Sequence, residues 1–235
     1  MNPGYTEGLL MLQYGSHTLN FDTTSWLSKA KNAFISKDAK VTGGAGRNLF
    51  YKILNEDEKY LTTYFNNKLS KNFDWSFEYF HSGEPASIHT DYDTIPWDDE
   101  SDCHVVVGII IPLEWKCKQP YTINFTRKEE YPRKLIYRNG GMRYTDTGEE
   151  VIYRTEEKLD KEVEKYIPYD CEYRKMFYDL QIESVYKWEI GTFMLFDTAR
   201  WHASSWFLTN RWLQDAGDEY KRSIIGFGSI DVLRN

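Results

Sequence analysis

From Asp74 onward the chain is a succession of short β-prone runs set apart by turn formers: WSFEYFHS, HVVVGIIIPLEW, YTINF, RKLIYR, EEVIYR, GTFMLF and RSIIGFGSIDV. Short strands in this number, with no regular β-helix-β alternation, argue against a doubly wound parallel sheet and predict a mainly β fold, a barrel or jelly roll. Aromatic residues make up 17% of the chain, with 18 Tyr and 8 Trp, so a core or pocket built here is built of large, partly polar rings. Upstream, Leu54, Leu61, Tyr64, Phe65 and Leu69 recur at helical spacing, which predicts an amphipathic helix over Asn55 to Lys71 with Asn55 and Glu58 as a capping box. A shorter helix is expected over Ser25 to Ile35, and Gly43, Gly44 and Gly46 are expected to form a loop.

Asn139-Gly140-Gly141 predicts a hairpin after RKLIYR, and the charged stretch Glu156 to Lys165 predicts a helix. The expected organisation is one domain over 1–235. Residues 1–73 would be a helical N-terminal support, and 74–235 a β core carrying a hairpin-and-helix insertion near 127–187.

Composition narrows the function classes. With 29 Lys+Arg against 36 Asp+Glu the formal net charge is -7, which repels phosphate backbones and makes nucleic acid an unexpected partner. The mixed charges between Arg127 and Lys165 are expected to be a solvated face. No run of apolar residues is long enough to span a membrane, and the N-terminus lacks a basic region and a cleavage site. Cys103, Cys117 and Cys171 form neither a C-x-x-C pair nor an even framework, so a reducing, cytoplasmic setting is expected. The glycine cluster lacks the Lys-Ser/Thr of a phosphate loop and the preceding strand of a dinucleotide fingerprint.

Five histidines leave few ways to build a reactive centre. His89-Thr90-Asp91 sets two ligands at i and i+2, on one side of an extended chain, where both reach one ion. Asp93 is the other nearby carboxylate, but it is displaced too far along an extended chain to be the first choice. His202, just beyond the apolar run GTFMLFDTARW, supplies a third ligand at a strand edge; packing against Trp201 or Trp206 is its structural alternative. Two histidines and one carboxylate on one face of an iron ion leave open positions for oxygen chemistry, whereas a structural zinc needs four closed ligands.

A co-substrate dicarboxylate chelated to such an ion needs a cation for its far end. Arg222 opens the last strand, and alternation puts it on one face with Ile224, Gly226 and Gly228, beside space the two glycines would leave. His81 is expected to be structural or to support a ligand, and adjacent residues Cys103 and His104 point to opposite strand faces, against a thiol-imidazole pair. The acidic cluster from Asp98 to Asp102 lacks the spacing and glycine of a calcium loop.

Taken in order, these blocks resemble the Fe(II)/2-oxoglutarate-dependent dioxygenase superfamily, in its prolyl-4-hydroxylase-like branch. Tyr79-x-x-x-Gly83 with His89-x-Asp91, then Gly191 to Phe196 leading to His202, then Arg222 to Phe227, match its motif order between about Ser76 and Ser229. The resemblance implies a double-stranded β-helix, or cupin-like jelly roll, and a site holding Fe(II), 2-oxoglutarate and O2. Metal ligands would be His89, Asp91 and His202, with Tyr79 and Arg222 on the co-substrate. Nineteen residues separate His202 from Arg222, and Arg211 has the spacing usual in the family; Arg222 is preferred for the distal carboxylate because it sits in a strand that would put its side chain inside the barrel, whereas NRWLQDAGDEY reads as a helical or loop insertion.

The implied activity is hydroxylation of a protein residue of prolyl type, an amino acid or a small metabolite, with release of succinate and CO2. The retained carboxylate at Asp91 argues against a halogenase. The rival expectation is a non-catalytic jelly-roll binding module, with a structural metal or none. Substrate and oligomeric state are not legible in the sequence.

Overall fold

A computed structural model describes residues 12–35, 41–45, 48–83, 103–117, 119–127, 135–138, 141–144, 180–198, 201–205 and 219–231. In chain order the elements are β1 (Gly15–Thr18), α1 (Thr24–Ile35), β2 (Val41–Ala45), β3 (Asn48–Lys52), α2 (Asn55–Leu69), β4 (Asp74–Ser82) and β5 (Cys103–Lys116). They continue with β6 (Tyr121–Arg127), β7 (Leu135–Arg138), β8 (Gly141–Tyr144), β9 (Leu180–Lys187), β10 (Thr192–Asp197), β11 (Trp201–Ser204) and β12 (Tyr220–Asp231). Seven strands form an antiparallel major sheet in the order β1-β10-β5-β12-β4-β3-β2, and three form a minor sheet, β11-β6-β9.

One face of the major sheet is covered by the helices and the other by the minor sheet. On the helix side, Phe77, Tyr79, Ile109, Ile111, Phe193, Leu195 and Ile224 pack with Trp26 and Ala30 of α1 and Leu61 and Phe65 of α2. Each fully buried apolar side chain of this size contributes about 1.5–3 kcal/mol. Phe65 touches Phe77 and Phe193 at ring separations of 5.8 and 5.1 Å. Gly226 permits this packing: a Cβ there would lie 2.3 Å from the Phe77 ring, and one at Gly228 would lie 2.8 Å from Val107. On the opposite face Phe196 of β10 lies over Gly108 of β5 and meets His202 of the minor sheet, with ring centroids 5.0 Å apart.

The helices begin and end for local reasons. Asp22 Oδ1 accepts hydrogen bonds from the Thr24 amide and hydroxyl at the start of α1. Helix α2 stops at Ser70, which is left-handed at φ 52. Asn66 then closes the turn into β4: its amide pairs with both backbone groups of Phe73, and its Oδ1 also accepts from Trp75 Nε1 at 2.8 Å. The expected capping box is absent: Leu54 is the N-cap, with no side-chain cap. Glu58 instead accepts from the Phe77 amide at 3.3 Å, a donor one residue beyond the pairing of β4 with β3, which ends at Lys52–Glu78.

The N-terminal third is more than a helical support. Both expected helices form, but β1, β2 and β3 extend the major sheet at its two edges. Gly43 and Gly44, expected in a loop, pair with Phe50 and Leu49 as part of edge strand β2. The short Val-Thr-Gly-Gly-Ala run is strand because β3 offers it a ladder, a non-local cause that propensity does not register. The insertion is also narrower than 127–187: Leu180–Lys187 is β9, the core partner of β6. Arg138 pairs with Gly141, as the Asn139-Gly140 hairpin requires, whereas EEVIYR and the Glu156–Lys165 segment lie outside the described residues.

Because the Phe77 ring fills the space above Gly226, Gly226→Ala should destabilise the fold by about 1–3 kcal/mol. Thermal unfolding followed by circular dichroism checks this, and an unchanged midpoint would mean that the ring has room to move.

Candidate functional site

Residues of the expected site divide between the two faces of the major sheet. His202 is on β11, 5% exposed, and faces the sandwich interior against Phe196. Its cross-strand partner on β6 is Asn124, also 5% exposed, whose Oδ1 is buried without a hydrogen bond. Ser184 of β9 stands opposite Asn124 in turn. His89, Asp91, Asp93 and Arg211 lie outside the described residues, and among the described residues no three potential ligands converge on a metal-sized site.

Tyr79 and Arg222 are on the helix side. Tyr79 pairs across the ladder with Ile224 and Tyr51 within the aromatic core, and its hydroxyl is buried with no hydrogen-bond partner. Burial, and then the charge of Asp57, push its pKa well above the usual phenol range.

Arg222 is in the seam between α1 and the sheet. Its Nη1 donates to Glu114 Oε2 at 2.7 Å, and its Nε lies 3.4 Å from His81 Nδ1. Its guanidinium lies over Tyr220 at 4.3 Å and Phe34 of α1 at 5.1 Å. Lys31 of α1 binds the other Glu114 oxygen at 2.7 Å. Burial raises the Glu114 carboxyl, but hydrogen bonds and charges from Lys31 and Arg222 outweigh it and hold the group below the usual carboxylate range. The space expected beside Arg222 is taken by Phe77, Trp75 and Val107. On this geometry the expectation that Arg222 opens into the barrel is corrected: it faces the helix layer.

Its neighbour is a cation on the interior side. Lys221 is 2% exposed and projects toward the minor sheet, with Nζ 4.8 Å from the Trp188 ring centre. Trp188 Nε1 in turn donates to Thr122 of β6 at 2.9 Å. Burial brings the Lys221 ammonium down to about 8, and the nearby Cys117 opposes the shift. Cys117 itself is pushed up to about 11 by burial, against the pull of Lys221, so its thiol stays protonated near neutrality. Next on this face is Ser223, fully buried, with an Oγ that has no partner.

Lys221 and Arg222 differ by one residue of strand phase, and a one-residue shift exchanges the faces of a strand. The signal was in β4, where Trp75, Phe77 and Tyr79 form a bulky apolar row facing Gly228, Gly226 and Ile224. Glycines opposite large rings mark the packed face, which leaves Lys221 and Ser223 for the interior.

The interior thus offers a buried imidazole, an ammonium, an unpartnered hydroxyl and an unpartnered amide oxygen. Such groups fit a metal ion with an oxygen-rich organic anion, since buried polar atoms are ordinarily hydrogen-bonded. An orphaned buried amide costs about 1–3 kcal/mol, so Asn124→Leu should leave the ligand-free protein as stable or more stable. Urea unfolding measures this; a loss of stability would mean that the fold itself satisfies the amide.

No family model matches the chain, and no curated protein matches it in sequence. Among solved structures, the non-heme alpha-ketoglutarate-dependent epimerase SnoN from nogalamycin biosynthesis superposes with a TM-score of 0.50 at 11% identity, covering 98% of this chain and 84% of its own. SnoN in complex with Fe3+, alpha-ketoglutarate and nogalamycin RO gives 0.50 at 10% identity, covering 98% and 85%. A prolyl-4-hydroxylase from Pseudomonas putida resembles the chain less, at 0.46 and 9% identity over 97% and 98%. Likeness at this identity is one of fold: the chain has the jelly-roll fold of the 2-oxoglutarate-Fe(II) oxygenases.

Proposed function

We propose that the chain is an Fe(II)- and 2-oxoglutarate-dependent oxygenase with its site between the two sheets. The observation that carries this reading is the set of polar groups buried there: His202, Asn124, Lys221 and Ser223, two of them with unpartnered atoms, in the fold of such oxygenases.

His202 would hold the metal together with His89 and Asp91. When bound, iron and 2-oxoglutarate supply oxidative decarboxylation with O2, releasing succinate and CO2 and oxidising a C–H bond of the substrate. The chain's own residues set the geometry. Phe196 packs the His202 ring and limits its rotation. Lys221 takes the place assigned to Arg222 and pairs with the distal carboxylate, with the Ser223 hydroxyl donating beside it. Trp188 covers Lys221 and keeps water from competing for it. Tyr79, in the helix-side core, has a packing role.

The substrate would be a protein residue of prolyl type, an amino acid or a small metabolite. Hydroxylation is the expected outcome; the epimerase SnoN makes inversion at a stereocentre the other outcome for a site of this kind.

Addition of Fe(II) and then 2-oxoglutarate without oxygen should give the weak visible charge-transfer band of the chelated complex, lost in His202→Ala. No band and no calorimetric binding would leave a jelly-roll binding module. Lys221→Met should weaken 2-oxoglutarate binding by about 1.5–3 kcal/mol, roughly tenfold to a hundredfold. With Lys221 near 8, the ammonium is charged below that pH, and affinity should fall as pH rises through about 8. A flat profile up to pH 10 would rule out Lys221 as the cation.

A further inference from the structure

We infer that Glu114 and Arg222 are positioning residues for the interior anion site: their clamp against α1, made possible by a bulge in β5, fixes the start of β12 so that Lys221 projects between the sheets. The inference rests on Lys221 being the cation that receives the co-substrate.

Register shows how the bulge works. Arg222 is opposite Glu114 and Ser223 is opposite Pro112, so Leu113 is an extra residue in β5. Leu113 is buried in the helix-side core, and Glu114, the next residue, also turns to the helix side to meet Lys31. Two successive residues on one face are the mark of a bulge. Pro112, with no amide hydrogen to give to a central strand, stands at this break in the ladder. Without the shift in register, Leu113 would stand opposite Arg222 and Glu114 opposite Lys221, on the interior face. The bulge moves that carboxylate to the other side of the sheet.

The clamp then holds the arrangement in place. Glu114 bridges Lys31 of α1 and Arg222 of β12 at 2.7 Å each. The guanidinium is packed between Phe34 and Tyr220, and His81 of β4 stacks on Tyr220 at 5.7 Å. Three strands and a helix are therefore pinned at one point, the residue next to Lys221. Because neighbouring strand residues face opposite ways, fixing Arg222 outward fixes Lys221 inward.

The test is calorimetric binding of 2-oxoglutarate with Mn(II) to the full chain and to Glu114→Gln, Arg222→Gln and the double variant. NMR titration of the Lys221 Nζ, assigned with Lys221→Arg, runs alongside. Acting through one clamp, each single variant should weaken binding roughly tenfold and the double no more than the worse single. The Lys221 titration should move from about 8 toward the ordinary lysine range as the strand start loosens. If Arg222→Gln abolishes binding while Glu114→Gln tightens it, Arg222 is itself the carboxylate's partner and the inference is overturned. Unchanged binding and an unchanged titration overturn it as well. Should the unaltered chain bind no 2-oxoglutarate, the oxygenase reading fails, and the Lys221 titration in the variants still decides whether the clamp positions that side chain.

Discussion

Strand β12 is the constraint on which the rest depends, because it belongs to two layers at once. Ile224, Gly226 and Gly228 face the helices, where Phe77, Trp75 and Phe65 close the core. Lys221 and Ser223 face the minor sheet, where polar groups gather around His202. From Lys221 to Gly228, the side of the sheet that each residue faces follows the parity of its number. The aromatic packing over Gly226 therefore locks the phase of the whole strand, and the orientation of the interior cation follows from a contact on the far side of the sheet.

Polar groups in the interior work against stability. Asn124 Oδ1 and Ser223 Oγ are each buried without a partner, at a cost of about 1–3 kcal/mol apiece. The helix-side face, packed with rings and branched aliphatics, offsets that cost. A jelly roll with a single helix layer allows this division, one face of the sheet closed by apolar packing and the other left to polar groups.

Much of the fold was legible in local pattern. Helix α2 follows from apolar spacing, and β4, β5, β6, β10 and β12 from their β-prone runs. What was not legible is non-local. Gly43 and Gly44 are strand only because β3 lies beside them, and Glu58 leaves its capping role because Phe77 needs an acceptor. For the site, His202 follows an apolar run that the structure shows as β10, but the face on which Arg222 lies turned on strand phase. Alternation gives two faces without saying which is inside; the answer lay in the partner strand, where Trp75 and Phe77 stand opposite glycines.

On the proposed reading, the interior face of β12 receives the distal carboxylate of a metal-chelated dicarboxylate. A crystal structure of the chain with Mn(II) and 2-oxoglutarate tests it directly. The metal should sit on His202, His89 and Asp91, with the distal carboxylate on Lys221 Nζ and Ser223 Oγ. A carboxylate seated against Arg222 in the helix seam, or an interior without metal at His202, would contradict it.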